Sequence, residues 1–246
     1  MITPTWLLAN LIVLFGAFIT GITGFGFVLI AAALLLLFLD VKSVVILNVI
    51  LGTIVCLPVA WQARKHIRSQ IVLILIISSI LGLPLGIYVL SHVSLPALKL
   101  IVISGVIVFA VLLATGISIK FKRERLACAA SGFISGALSN SAGLGGPPII
   151  LFLLSQGWEK EVFRGNISTY FALNGIAAAI SLGVTGNLPE DKIIYALSTV
   201  PALIIGLSIG LWILPRINAV LFRKIAIYLL LACGVLGIIE AVMTLW

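Results

Sequence analysis

The chain has 246 residues, of which 62% are hydrophobic and only 9% charged, with a mean hydropathy of +1.34. Soluble domains carry about 25% charged residues, so this composition excludes a water-soluble globule and leaves an all-α polytopic membrane protein. The net charge of +8 is no nucleic-acid footprint, because Lys and Arg sit in short loops between apolar runs.

In chain order the uncharged runs are 1–39, 43–63, 69–97, 100–119, 126–158, 165–189, 193–215 and 225–239. A helix crosses a hydrocarbon core of ~30 Å in about 20 residues, and most of these runs have the length of one span. The start of the chain has no basic residue before its first apolar stretch and reads as a poor signal peptide. Runs 1–39 and 126–158 are too long for one straight span at about 1.5 Å per residue. Each carries a glycine cluster near its middle, Gly21-Ile22-Thr23-Gly24-Phe25-Gly26 and Gly143-Leu144-Gly145-Gly146-Pro147-Pro148. Glycine and proline break helices. Each long run therefore predicts two helical pieces meeting at a break, as a re-entrant or hairpin pair.

A broken run followed by three spans occurs twice, which predicts a duplication with repeats at 1–119 and 126–246 joined by a basic linker at 120–125. Three short matches keep the same order in both halves. Leu47-Asn48-Val49 aligns with Gly165-Asn166-Ile167. Gly82-Leu83-Pro84-Leu85-Gly86 aligns with Gly206-Leu207-Ser208-Ile209-Gly210. Leu98-Lys99-Leu100 aligns with Phe222-Arg223-Lys224.

Threading the runs through a bilayer puts twelve Lys and Arg on one face, in the loops at 64–68, 120–125, 160–164 and 216–224. Lys42, Lys99 and Lys192 fall on the other. The basic face is then cytoplasmic and both termini point outward. The two halves are inverted relative to each other, a plan in which transporters hold substrate near the midplane at discontinuous helices. The total is eight or ten membrane segments, according to whether the broken pairs re-enter or cross.

A helix that starts at a break aims its first N–H groups and the positive end of its dipole into the surrounding cavity. Pieces starting near Gly26 and near Gly146-Pro147 would face each other and make an anion site, which glycines let an oxyanion approach closely. The candidate binding residues are Thr23, Gly24, Phe25, Gly26, Asn48, Asn140, Ser141, Gly143, Gly145, Gly146, Pro147, Asn166 and Thr169. Their amides and hydroxyls donate hydrogen bonds without adding charge. The alternative is a membrane assembly or scaffold subunit whose glycines only let helices pack closely.

Arg164 reads as snorkelling to the basic face, with substrate gating as its other possible role. Trp6, Trp158 and Trp246 read as interface anchors. Cys56, Cys128 and Cys233 have no metal or disulfide spacing and read as small buried hydrophobes. No acid or base stands near the middle of a span, which disfavours a buried proton relay. It favours a uniporter or channel-like path, or coupling through the substrate's own proton. No P-loop and no catalytic-triad spacing occurs, so no enzyme activity, metal or cofactor is expected.

The stretch from Gly16 to Gly26, with Ser131-Gly132-Phe133-Ile134-Ser135-Gly136 and the cluster from Gly143 to Pro148, resembles the sulfite exporter TauE/SafE family over nearly the whole chain. The short turn Thr185-Gly186-Asn187-Leu188 fits the same pattern. Phe25 and Phe27 stand where that family tends to have more glycine, and Asn140-Ser141-Ala142 replaces a more apolar stretch. The resemblance implies a multi-pass protein of the bacterial inner membrane. It implies transport of sulfite, a sulfonate such as sulfoacetate, or a related small anion.

Overall fold

Among the described residues the apolar runs fold as helices, and both long runs break at their glycines, while the runs at 100–119 and 225–239 lie almost wholly outside the described residues. The computed structural model describes residues 4–94, 97, 104, 124–142 and 145–218. The helices are α1 (Pro4–Thr23), α2 (Phe27–Leu35), α3 (Val41–Gln62), α4 (Ser69–His92), α5 (Glu124–Ala142), α6 (Gly146–Ser155), α7 (Lys160–Val184), α8 (Glu190–Ser198) and α9 (Val200–Ile213). There is no strand among the described residues. Helices α1, α3, α4 and α7 are long and apolar enough to cross a membrane. Leu11, Leu73, Leu81 and Ile180 turn outward, as lipid-facing side chains do.

The second piece of each broken run is short. Helix α2 has nine residues and α6 has ten, so they reach about 14 and 15 Å at 1.5 Å per residue. Neither length crosses a ~30 Å core.

The run at 193–215 departs from the single span predicted. It divides into α8 and α9, bent by 43° at Thr199. Pro201 has no N–H for the carbonyl four residues back, and the Thr199 hydroxyl bonds Ala196 O at 2.7 Å.

Helices from opposite halves pack in an exchanged pattern. Helix α1 lies along α9, α4 along α5, and α3 across α7. The glycine pairs matched in the sequence make equivalent contacts. A methyl group at Gly82 or Gly86 would overlap Phe133 O or Ala137 O of α5, and one at Gly206 or Gly210 would overlap Leu14 O or Phe18 O of α1. Lipid gives helices no hydrophobic reason to associate, so close backbone approach at small residues supplies the adhesion. Position numbers rise together along α1 and α9, from Leu14 beside Gly206 to Phe18 beside Gly210. They run oppositely along α3 and α7, where Ala63 meets Gly165 and Thr53 meets Gly175. The first two pairs are parallel and the third antiparallel. The third sequence match, at 98–100 and 222–224, and both chain termini lie outside the described residues.

Charge separates along the bundle. At one end Arg68 stacks 4.5 Å over the Trp158 ring, Lys160 Nζ donates to Ile217 O at 3.0 Å, and Arg125 and Arg68 border one cleft. Exposed Trp61 and Trp212 lie there under Arg64 and Arg216. At the other end Asp40 caps α3 and pairs with Lys192 at 3.9 Å, and Trp6 Nε1–H donates to Ser198 Oγ.

Candidate functional site

At the first break the chain turns at Gly24 and Gly26, with φ of 82° and 109°. Side chains larger than hydrogen rarely adopt these values. Backbone exposed here would be stranded in an apolar interior, and two threonines prevent that. Thr20 Oγ1 accepts the Phe27 N–H at 2.8 Å and donates to Phe25 O at 3.2 Å. Thr23 Oγ1 accepts the Phe25 N–H at 3.3 Å and shares its proton between Ile19 O and Phe25 O. The N–H groups of Val28 and Leu29 belong to the first turn of α2, where no intrahelical carbonyl reaches them.

The second break is closed differently. Gly145 caps α6, and Pro147 and Pro148 follow in its first turn. Proline suits that turn but has no N–H, so α6 presents the Gly146 amide and its dipole rather than a full set of donors. The Ser135 hydroxyl donates to Gly145 O. Tyr170 OH contacts Ser135 Oγ at 2.6 Å and Ser79 Oγ at 3.1 Å. Ser79 Oγ donates to Asn174 Oδ1 at 2.5 Å, and Asn174 Nδ2 donates to Ser139 Oγ at 2.9 Å. This buried chain ties the break to α4, α5 and α7.

The two breaks meet at one cavity of about 50 Å³. That exceeds the roughly 10–15 Å³ a single water needs. From the first half it is lined by Thr20, Phe25 and Gly26, the first turn of α2, and the middle of α3 around Asn48, Gly52 and Thr53. From the second half come Ser139, Gly145, Gly146, Ile150, Phe171 and Asn174. Asn48 Nδ2 donates to Val28 O at 3.4 Å, and its Oδ1 has no partner. Among the described residues no Lys or Arg lines the space. An anion there would be held by amide and hydroxyl donors and by helix dipoles.

Of the thirteen candidates, Phe25, Gly26, Asn48, Gly145 and Gly146 line this cavity. Thr23 shapes the first break from behind it. Gly24 packs on Arg164. Asn140 is fully buried with neither amide atom hydrogen-bonded, and the Thr169 hydroxyl is also unpaired. Ser141 bonds back to Ala137 O at 2.8 Å. Pro147 is in the first turn of α6, and Gly143 lies outside the described residues. Asn166 is not brought to the cavity. It fastens the basic-end loop, accepting the Arg68 N–H at 2.8 Å and donating to His66 O and Val162 O.

Tyr170, Asn174, Ser79 and Thr20 were not singled out in the sequence. Helical spacing was the available signal, since Asn166, Tyr170 and Asn174 recur every four residues along one helix, as do Ser135 and Ser139 along another. Arg164 does not snorkel. It is wholly buried, because its stem lies against Gly24 and its guanidinium finds polar partners inside. Cys56 and Cys128 are free and buried, and Cys233 lies outside the described residues. No group of three metal-binding side chains occurs among the described residues.

A family model described as sulfite exporter TauE/SafE matches residues 9–236. The chain belongs to this family. The family is one of membrane transporters of sulfite and related anions, and the apolar helices fit a multi-pass membrane protein, with lipid and a small anion as the partners the family implies. No curated protein and no solved structure matches it.

Proposed function

We propose that this TauE/SafE member is a secondary transporter or exporter of a small anion, with sulfite or an organosulfonate such as sulfoacetate as its substrate. The substrate binds in the cavity between the two helix breaks. The observation that carries the reading is the convergence there of two half-length helices, one from each half of the chain, with their N-terminal turns on the same space. The Val28, Leu29 and Gly146 amides, the Ser139 hydroxyl and the Asn174 amide are the donors for the oxyanion.

In this reading the halves 1–119 and 126–246 are inverted repeats joined at 120–125, with re-entrant broken pairs. The exchanged pairing of α1 with α9 and α4 with α5, and the antiparallel crossing of α3 and α7, support it. So do the matched glycine contacts at Gly82–Gly86 and Gly206–Gly210. The basic end is cytoplasmic by the positive-inside rule, which orients the protein in a bacterial inner membrane with outward termini. The scaffold alternative accounts for the glycines between α1 and α9 and between α4 and α5, but not for a cavity at the breaks.

The test is flux. Purified protein in liposomes is expected to move sulfite or sulfoacetate faster than empty liposomes. If neither these nor any other small anion moves above that background, the transporter reading fails.

A further inference from the structure

Arg164 is a buried charged side chain that does not line the cavity. Its residue exposure is 0%. A charge at such a place is normally matched by a carboxylate. The carboxylate within reach is Glu161, 3.7 Å from Nη1, and that side chain is 43% exposed. Nη2 donates to Gly21 O and to Gln62 Oε1, both at 2.9 Å. Nε has no partner. The guanidinium is thus held by neutral acceptors and one loose, wet anion, with a donor edge left over.

Its position relates it to the cavity. The Cγ of Arg164 fills the space where a Cβ on Gly24 would lie, 2.7 Å away. The neighbouring Phe163 ring meets Phe25 edge-on at 5.8 Å and 75°, and Phe25 lines the cavity. Arg164 is therefore one aromatic layer beyond the cavity, towards the end where Arg64, Arg68 and Trp158 gather.

We propose that Arg164 is a second anion station at the basic end of the path, separated from the cavity by the Phe25–Phe163 pair. This rests on the transport reading above. The occupant is an oxyanion, a sulfite or sulfonate group, one oxygen of which takes the unpartnered Nε–H as a charge-assisted hydrogen bond, both Nη2 protons being held by Gly21 O and Gln62 Oε1. The arriving anion competes with the loosely placed Glu161 carboxylate for the guanidinium charge. Gly21 O and Gln62 keep the side chain placed between passages.

Concentration-dependent flux tests this. Arg164→Gln is expected to raise the KM for sulfite about tenfold or more, because a hydrogen bond to a charged group is lost. Arg164→Lys keeps the charge without the Nε–H and falls between. Glu161→Gln removes the competing carboxylate and is expected to lower KM about threefold, which a purely structural arginine would not do. Unchanged KM in Arg164→Lys and Glu161→Gln overturns the station, whether or not Arg164→Gln folds. A second readout separates this from the transport reading. Sulfite is expected to raise the melting temperature of detergent-purified protein saturably, and not that of Arg164→Lys to the same extent. If that stabilisation occurs while liposomes show no flux, transport fails and the station stands. Normal flux with unchanged KM in both variants gives the reverse.

Discussion

The first break closes its own backbone with Thr20 and Thr23, both within seven residues of the groups they bond. The second takes its partners from afar, with Ser79 from α4, Ser135 and Ser139 from α5, and Tyr170 and Asn174 from α7. The donors differ as well. Helix α2 opens with amide N–H groups, whereas α6 opens with two prolines. The two breaks are thus closed by local and by long-range means. The local one is robust to the rest of the fold. The long-range one makes the cavity wall depend on how α4, α5 and α7 are arranged.

The sharpest way to break this contrast is to crowd the second site. Gly145→Leu is expected to reduce liposome flux to that of empty liposomes while the protein still inserts. A Cβ there would already stand 2.8 Å from Ser139 Oγ and 2.9 Å from Ser135 O. Gly146→Ala, one residue on, meets nothing nearer than 3.5 Å and should transport normally. Equal behaviour of the two would remove Gly145 from the site.

At the first break Gly24→Ala is expected to lose about 2–3 kcal/mol, read as a lower melting temperature in detergent. The positive φ strains any side chain, and the Arg164 stem occupies the space. Thr20→Val should lose about 1–3 kcal/mol by leaving the buried Phe27 N–H and Phe25 O unpaired. Thr20→Ser should lose far less. Tyr170→Phe is expected to lose about 1 kcal/mol but to slow flux severalfold, because it unties the second break from α4 and α5. If Tyr170→Phe proved more destabilising than Thr20→Val and left flux unchanged, the local and long-range assignments would be reversed.

The smallest effect lies outside both breaks. Burial pushes the Asp40 carboxyl up, but hydrogen bonds from Ser43 and the nearby Lys192 ammonium outweigh this and hold it below its ordinary 3.8. A depressed carboxyl stabilises the fold above its unfolded value and loses that effect as pH falls through the folded one. Asp40→Asn should therefore leave stability nearly flat from about pH 5 to pH 8 and remove only a contribution that wild type itself loses in acid. A variant as stable as wild type at pH 7 but less stable than it in acid would contradict this.

Several features were legible before any helix was packed. The breaks could be read from over-long runs with central glycines, because backbone conformation at Gly24, Gly26 and Gly145 is a local matter. The basic end was legible because loop charge follows chain order. The glycine pairs at Gly82–Gly86 and Gly206–Gly210 could be matched, though not their partners. Asn166 shows where reading stopped. It matched Asn48 in order, yet it fastens a loop while Asn174, eight residues later on α7, faces the cavity. The bend at Thr199 and the burial of Arg164 were also not legible.

By itself, then, the sequence determined a helical membrane protein with two breaks in two halves and a charge-segregated pair of ends. Hydropathy, chain reversal and left-handed backbone act over a few residues, and one strand of letters contains them. Only the tertiary structure decided which polar atoms meet at the cavity, that Thr20 and Tyr170 belong to it, and that Arg164 lies inward. A helix presents every side chain around its axis, and whether one faces lipid, a neighbour or a cavity depends on which helix packs against it. That choice was made by close glycine contacts between segments more than fifty residues apart.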